Sequence, residues 1–172
     1  EILSRHRWLM NPGVPIPKES FDVHGISDEH VKDSPSFAAV AAEILAVLEG
    51  KIPLAYNAEF DRAFLIEELA RAGVARPAMP PAARRGIEWL DPLVWAREIH
   101  QDEKSRSLGD VAQRLGVALD KAHSAVHDAE AAALVHVEFC RDTRVPSVYG
   151  AFVQEQRRLA RLHAEDRQYW RK

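Results

Sequence analysis

An aspartate stands where a helix should be apolar. From Ser124 to Cys140 the sequence SAVHDAEAAALVHVEFC reads as one helix. Its apolar stripe runs through Ala132, Val135 and Phe139, and one turn back along that stripe lies Asp128. A bare carboxylate withdrawn from water is costly, so Asp128 must cap a backbone group, pair with a cation or ligate a metal. His123 precedes it by five residues, just before or within the first helical turn. Another aspartate, Asp61, falls in Asn57-Ala58-Glu59-Phe60-Asp61, at a strand-to-helix junction. Two carboxylates and an imidazole on the inner ends of separate elements point to metal-dependent hydrolysis.

The rest of the composition bounds this chemistry. A chain of 172 residues, 47% apolar and 28% charged, fits one domain that buries a core without staples. The lone Cys140 excludes an internal disulfide and fits a reducing compartment. No apolar run reaches the length of a membrane span and the first residues carry no signal-peptide pattern. The expected location is cytoplasmic, with no membrane partner. A net charge of −3 gives no overall field for a polyanion. An enzyme gripping one strand end needs only a local basic patch, for which Arg84-Arg85 and Arg157, Arg158 and Arg161 are candidates beside their plainer reading as solvated surface charge.

Strands and helices must bring these groups together. Ser4–Met10 alternates loosely and predicts a strand, closed by the turn Asn11-Pro12-Gly13. A proline-containing loop leads to His24-Gly25-Ile26. Ser34-Pro35 opens a helix whose stripe is Phe37, Val40, Ala41, Ile44, Leu45 and Leu48, stopped by Gly50. Ile52–Tyr56 predicts a short buried strand, Ala58–Ala72 a helix ending near Gly73, and Ile87–Leu90 a further strand ending at Asp91 and Pro92. Arg76–Arg85, with three prolines, reads as a surface loop. Ser107-Leu108-Gly109-Asp110 predicts a capped start to a short helix closed by Gly116. After Pro146 an arginine-rich helix runs from Val148, with Phe152, Leu159 and Leu162 on roughly one side. Strands alternating with helices predict an α/β fold with a mixed sheet flanked by helices.

These residues carry a resemblance. Asn57-Ala58-Glu59-Phe60-Asp61 with Phe64-Leu65 resembles the second motif of the DEDDh 3′–5′ exonucleases, the family of the proofreading subunit of bacterial replicative DNA polymerase. His123-Ser124-Ala125-Val126-His127-Asp128 resembles its third. Asn11-Pro12-Gly13 with Ile16-Pro17, His24-Gly25-Ile26, Pro35-Ser36-Phe37, Asp91-Pro92-Leu93 and Ser107-Leu108 follow in the family's order, from about Leu9 to Phe139. The resemblance implies a ribonuclease H-like fold and two divalent ions, Mg²⁺ or Mn²⁺, held by four carboxylates. Asp61 and Asp128 are two of them, and His123 is the general base. Nucleoside 5′-monophosphates leave one by one from a nucleic-acid 3′ end, with single-stranded DNA expected first. Asn57 and Phe60 line the groove for the terminal nucleotide, aromatic faces being tolerant stacking platforms, and His24 is a further candidate contact.

One departure matters. The family's first motif, Asp-x-Glu on the opening strand, is absent, as are counterparts of its first two strands. In this fold the opening strand lies at the centre of the sheet, so the natural protein is expected to carry it upstream. Two of four carboxylates bind metal poorly. Alternatives are a catalytically inactive nucleic-acid-binding or polymerase-associated module, and an RNA-trimming exoribonuclease of the same family. The expected division is an exonuclease domain over 1–142 and a C-terminal helical extension over 143–172, which packs back, leads into a linker or docks a polymerase or other protein. His127, four residues after His123, makes a poor zinc pair with no third ligand and is read as solvent-facing. Asp91 is read as orienting backbone at a strand end, and Tyr56 as packing.

Overall fold

The computed structural model describes residues 1–75, 81–84, 87–118 and 124–169. Arg85, His123 and Trp170 lie outside the described residues. Among the described residues eight α-helices follow one another: α1 Lys18–His24, α2 Asp28–Val31, α3 Phe37–Leu48, α4 Ala58–Arg71, α5 Pro92–Ile99, α6 Leu108–Arg114, α7 Ala125–Phe139 and α8 Tyr149–Tyr169. A short 3₁₀ turn, Pro81–Ala83, precedes α5.

The predicted mixed sheet does not form, and the α/β, ribonuclease H-like expectation is corrected to a helical architecture. Among the described residues the pairing is a single parallel bridge between Leu54 and Leu90. The reason lies in the prolines. The Leu90 N–H donates to the Pro53 carbonyl at 3.0 Å and the Leu90 carbonyl accepts from the Ala55 N–H at 3.1 Å, the slanted pattern of a parallel ladder. The next rungs on either side need the N–H of residue 92 and that of residue 53, and both are prolines. Ser4–Met10 meets no strand among the described residues. It runs instead as extended chain beside α7, where Arg5 pairs with Glu130 and a cavity of about 420 Å³ separates Trp8 and Ile2 from Ala129 and Ala133.

The helices follow their local signals closely. The stripe of α3 is as expected, although Ser36 rather than Ser34 is the N-cap, and Gly50 ends the segment at φ 67°. In α6 the Ser107 hydroxyl accepts the Asp110 N–H at 3.2 Å. Three helices were not anticipated: α1, α2 and α5. The last is decisive, because Trp95 at its centre is fully buried.

The core gathers Val94 and Trp95 of α5, Val111 of α6, Val135 and Phe139 of α7, and Phe152, Val153 and Leu159 of α8. The Trp95 and Phe152 rings lie 5.0 Å apart. Helix α8 therefore shares a core with α5, α6 and α7, while α3 and α4 pack on each other. No described helix is long and apolar enough to cross a membrane.

His136 of α7 lies edge-on to Phe152, ring centres 5.3 Å apart. Burial holds its pKa below the ordinary 6.5. The folded chain thus takes up fewer protons than the unfolded one just below that value, so stability falls as pH drops from about 6.5 through the lowered folded pKa. Urea titrations over this range should show that loss, and His136→Gln should reduce it, leaving the part due to His100, whose pKa burial and Arg114 also lower. Trp95→Ala should cost about 3–5 kcal/mol in the same assay.

Candidate active site

The site starts from a left-handed residue. Asn57, at φ 74° and ψ 51°, is the N-cap of α4 and, among the described residues, the one non-glycine at positive φ. Asparagine tolerates this conformation better than most side chains. The turn aims two successive backbone N–H groups at one carboxylate. Asp91 accepts from Asn57 N–H at 3.0 Å through Oδ1 and from Ala58 N–H at 3.1 Å through Oδ2. Its Oδ1 also accepts from Leu93 N–H at 2.9 Å, capping α5. One side chain therefore fixes the starts of two helices, in keeping with the reading of Asp91 as a residue that orients backbone.

Asp91 is itself held from behind by Gln156 of α8, which is 3% exposed and the one buried polar side chain among the described residues. The Gln156 Oε1 accepts the Asp91 N–H at 2.8 Å, and its Nε2 donates to the Trp89 carbonyl at 2.9 Å. The Trp89 indole N–H in turn donates to the Ala82 carbonyl at 2.7 Å. Tyr56 packs against the core and donates its hydroxyl to the Arg106 carbonyl at 2.7 Å, consistent with packing. Burial, then the Asp91 charge, push its phenol well above the usual range.

Asp61 stands in the first turn of α4 with access to solvent. Surrounding protein raises its carboxyl above the ordinary value and the nearby Asp91 charge adds to the rise, against a backbone hydrogen bond that lowers it. Burial raises Asp91 too, more than its three N–H donors and Arg97 lower it. Two carboxyls that each resist ionisation near one another make this end of α4 favourable for positive charge.

Asn57 lines a cleft of about 390 Å³ with Glu59, Arg62, Asp91, Arg97 and Gln156 among its walls. Phe60, 61% exposed, packs on Phe64 at a ring distance of 5.2 Å on the outer side of α4 and does not line this cleft. His24 ends α1 rather than lying in a loop, and its Nδ1 accepts the Ile26 N–H at 3.0 Å. Asp128 is half-buried in the first turn of α7, and the described residues give its carboxylate no hydrogen-bond or ion-pair partner. His127 is half-buried, with Nδ1 shielded from solvent, instead of facing outward. The structure thus joins Asn57, Asp61 and Asp91 at one end of α4. Asp128 belongs to another helix, and α4 and α7 are not among the principal packing pairs.

Among the described residues no three His, Cys, Asp or Glu side chains converge to hold a metal ion. Of the carboxylates read as ligands from the sequence, Asp61 stands on α4 and Asp128 on α7. Gln156 was missed in the sequence, although its signal was there: it interrupts the stripe Phe152, Leu159 as Asp128 interrupts that of α7.

Residues 1–136 match the family model RNase_T, described as Exonuclease. The chain belongs to this exonuclease family. It is 32% identical over 141 residues, 82% of its length, to the DNA polymerase III PolC-type of Streptococcus suis, and equally to that of Streptococcus thermophilus. The Streptococcus pneumoniae protein of the same description is 29% identical over 130 residues, 76% of the chain. The chain spans 9% of the length of the first two proteins and 8% of the third. The kinship read from the motifs holds at the level of this family, carried by the sequence.

Asn57→Ala should lower the unfolding free energy by about 1–2 kcal/mol, since alanine resists the left-handed region, whereas Asn57→Gly should be close to neutral. Chemical denaturation of the two variants checks this.

Proposed function

We propose that the chain is the nuclease portion of a divalent-metal-dependent 3′–5′ exonuclease acting on single-stranded DNA ends. One observation carries the reading: the Asp61 and His123/Asp128 motifs fall in the family's order within the stretch that matches the exonuclease family. DNA is preferred over RNA because the similar proteins are described as DNA polymerases. The same description makes association with a polymerase the expected setting, and the lone cysteine and lack of a spanning helix among the described residues fit action in the cytoplasm.

In this reading Asn57 and Phe60 receive the terminal nucleotide, with the exposed Phe60 ring offering a face for a base. His24 is an outer contact. His123 takes the proton of the attacking water. Water adds to phosphorus, the P–O3′ bond breaks, and the shortened strand keeps a 3′-hydroxyl while a nucleoside 5′-monophosphate leaves. Exonucleases of this family generally depend on divalent metal. Asp61 and Asp128 are the residues of this chain proposed to contribute ligands to Mg²⁺ or Mn²⁺, two ions in all. The raised Asp61 carboxyl, and an Asp128 carboxylate to which the described residues give no hydrogen-bond or ion-pair partner, both suit a cation.

Hydrolysis by the natural protein should stop in EDTA and return with Mg²⁺ or Mn²⁺. Asp128→Asn should abolish it while circular dichroism shows the helices intact; undiminished activity would remove Asp128 from the site. His123→Ala should cut turnover about 100-fold or more with little change in the metal concentration needed. Collapse of metal binding instead would make His123 a ligand.

A further inference from the structure

Gln156 is the one polar side chain buried in the described core, and it lies beyond residues 1–136, the stretch that matches the family. A buried amide is kept only when both of its ends are satisfied, and here both are. Its oxygen takes the Asp91 N–H at 2.8 Å and its nitrogen gives to the Trp89 carbonyl at 2.9 Å. These are the backbone groups that flank Leu90, the residue bridged to Leu54. The Asp91 N–H and the Trp89 carbonyl face the edge away from Leu54, and among the described residues no strand pairs with that edge. Gln156 does so, in the manner of a missing strand.

The consequence reaches α4. Asp91 holds the N–H groups of Asn57 and Ala58, and Asp61 follows one turn later on the same helix. The path α8, Gln156, Asp91, start of α4, Asp61 is continuous, each link a hydrogen bond or a covalent turn. Helix α8 is tied to the core independently by Phe152, Val153 and Leu159, so its position is rigid enough to serve as a reference.

We infer that Gln156 is a positioning residue for the exonuclease site, setting the angle of α4, and with it Asp61, through Asp91. The inference rests on the proposed nuclease function. It makes α8 a working part of the catalytic unit.

The test combines kinetics with amide exchange on the natural protein. Gln156→Met keeps the volume and loses both hydrogen bonds; Gln156→Asn keeps the polarity but is one methylene too short to bridge them. Either should lower kcat on a single-stranded oligonucleotide about tenfold or more with KM within about twofold, because misplacement of a reacting group acts on turnover. Exchange at the Asn57 and Ala58 amides should accelerate at least about tenfold as their acceptor loosens. Val111→Ala, which weakens the core from α6 without touching α8 or the relay, should leave both readouts at their wild-type values. Wild-type kcat in the folded Gln156 variants, or unchanged exchange at Asn57 and Ala58, overturns the inference. A matching loss in Val111→Ala overturns it too, reducing Gln156 to general support. If the unaltered protein degrades no oligonucleotide in Mg²⁺ or Mn²⁺, the nuclease reading itself fails, and the exchange data then report separately whether the relay exists.

Discussion

The Asp91 carboxylate governs the local order of this molecule. It accepts N–H groups from the start of α4 and the start of α5, and its own N–H is accepted by Gln156 of α8. Three helices distant in sequence meet at one residue. Helix starts carry unsatisfied donors and a partial positive charge, so a carboxylate shared between two of them answers a need that each would otherwise meet separately. Burial makes the ionised form costly, and the three donors only partly offset it, which is why the group stays above the ordinary carboxylate range. Removing it would release both helix starts together, with about 0.5–2 kcal/mol at stake for each cap lost.

Around that point the molecule divides its labour. Helices α5 to α8 make a dense apolar core with Trp95 and Phe139 at its centre, while α3 and α4 pack on each other beside it. The residues read as chemical straddle this division. Asn57, Phe60 and Asp61 belong to α4, and Asp128 to α7. Whatever keeps α4 in register with the core therefore also controls the distance between the two aspartates, and the Asp91–Gln156 link is the described connection suited to that task.

Much of this was legible in the residues. The periods of α3, α4, α6 and α7 announce themselves through recurring apolar positions, with Gly50, Gly73 and Gly116 closing the first three and Asp128 breaking the stripe of α7. The sheet was misread for a physical reason. Apolar runs such as Ile52–Tyr56 state that a segment suits a sheet, not that a partner will bond to it. Pro53 and Pro92 withdraw the donors that a longer ladder needs. Asp91-Pro92 reads as the end of a strand, yet an N-cap aspartate followed by proline at the first helical position is equally a helix start, and here it opens α5. Asn57, Asp61 and Asp128 stood out through their motifs. Gln156 did not, because α8 is polar over most of its length and one more polar residue on its inner stripe drew no notice.

The polarity of attack is tested most directly by a single-stranded DNA oligonucleotide labelled at its 5′ end. Incubated with the natural protein and Mn²⁺, it should yield a ladder of labelled strands shortening one nucleotide at a time from the 3′ end. Immediate release of a labelled mononucleotide, internal cuts without a ladder, or an intact strand would contradict the account.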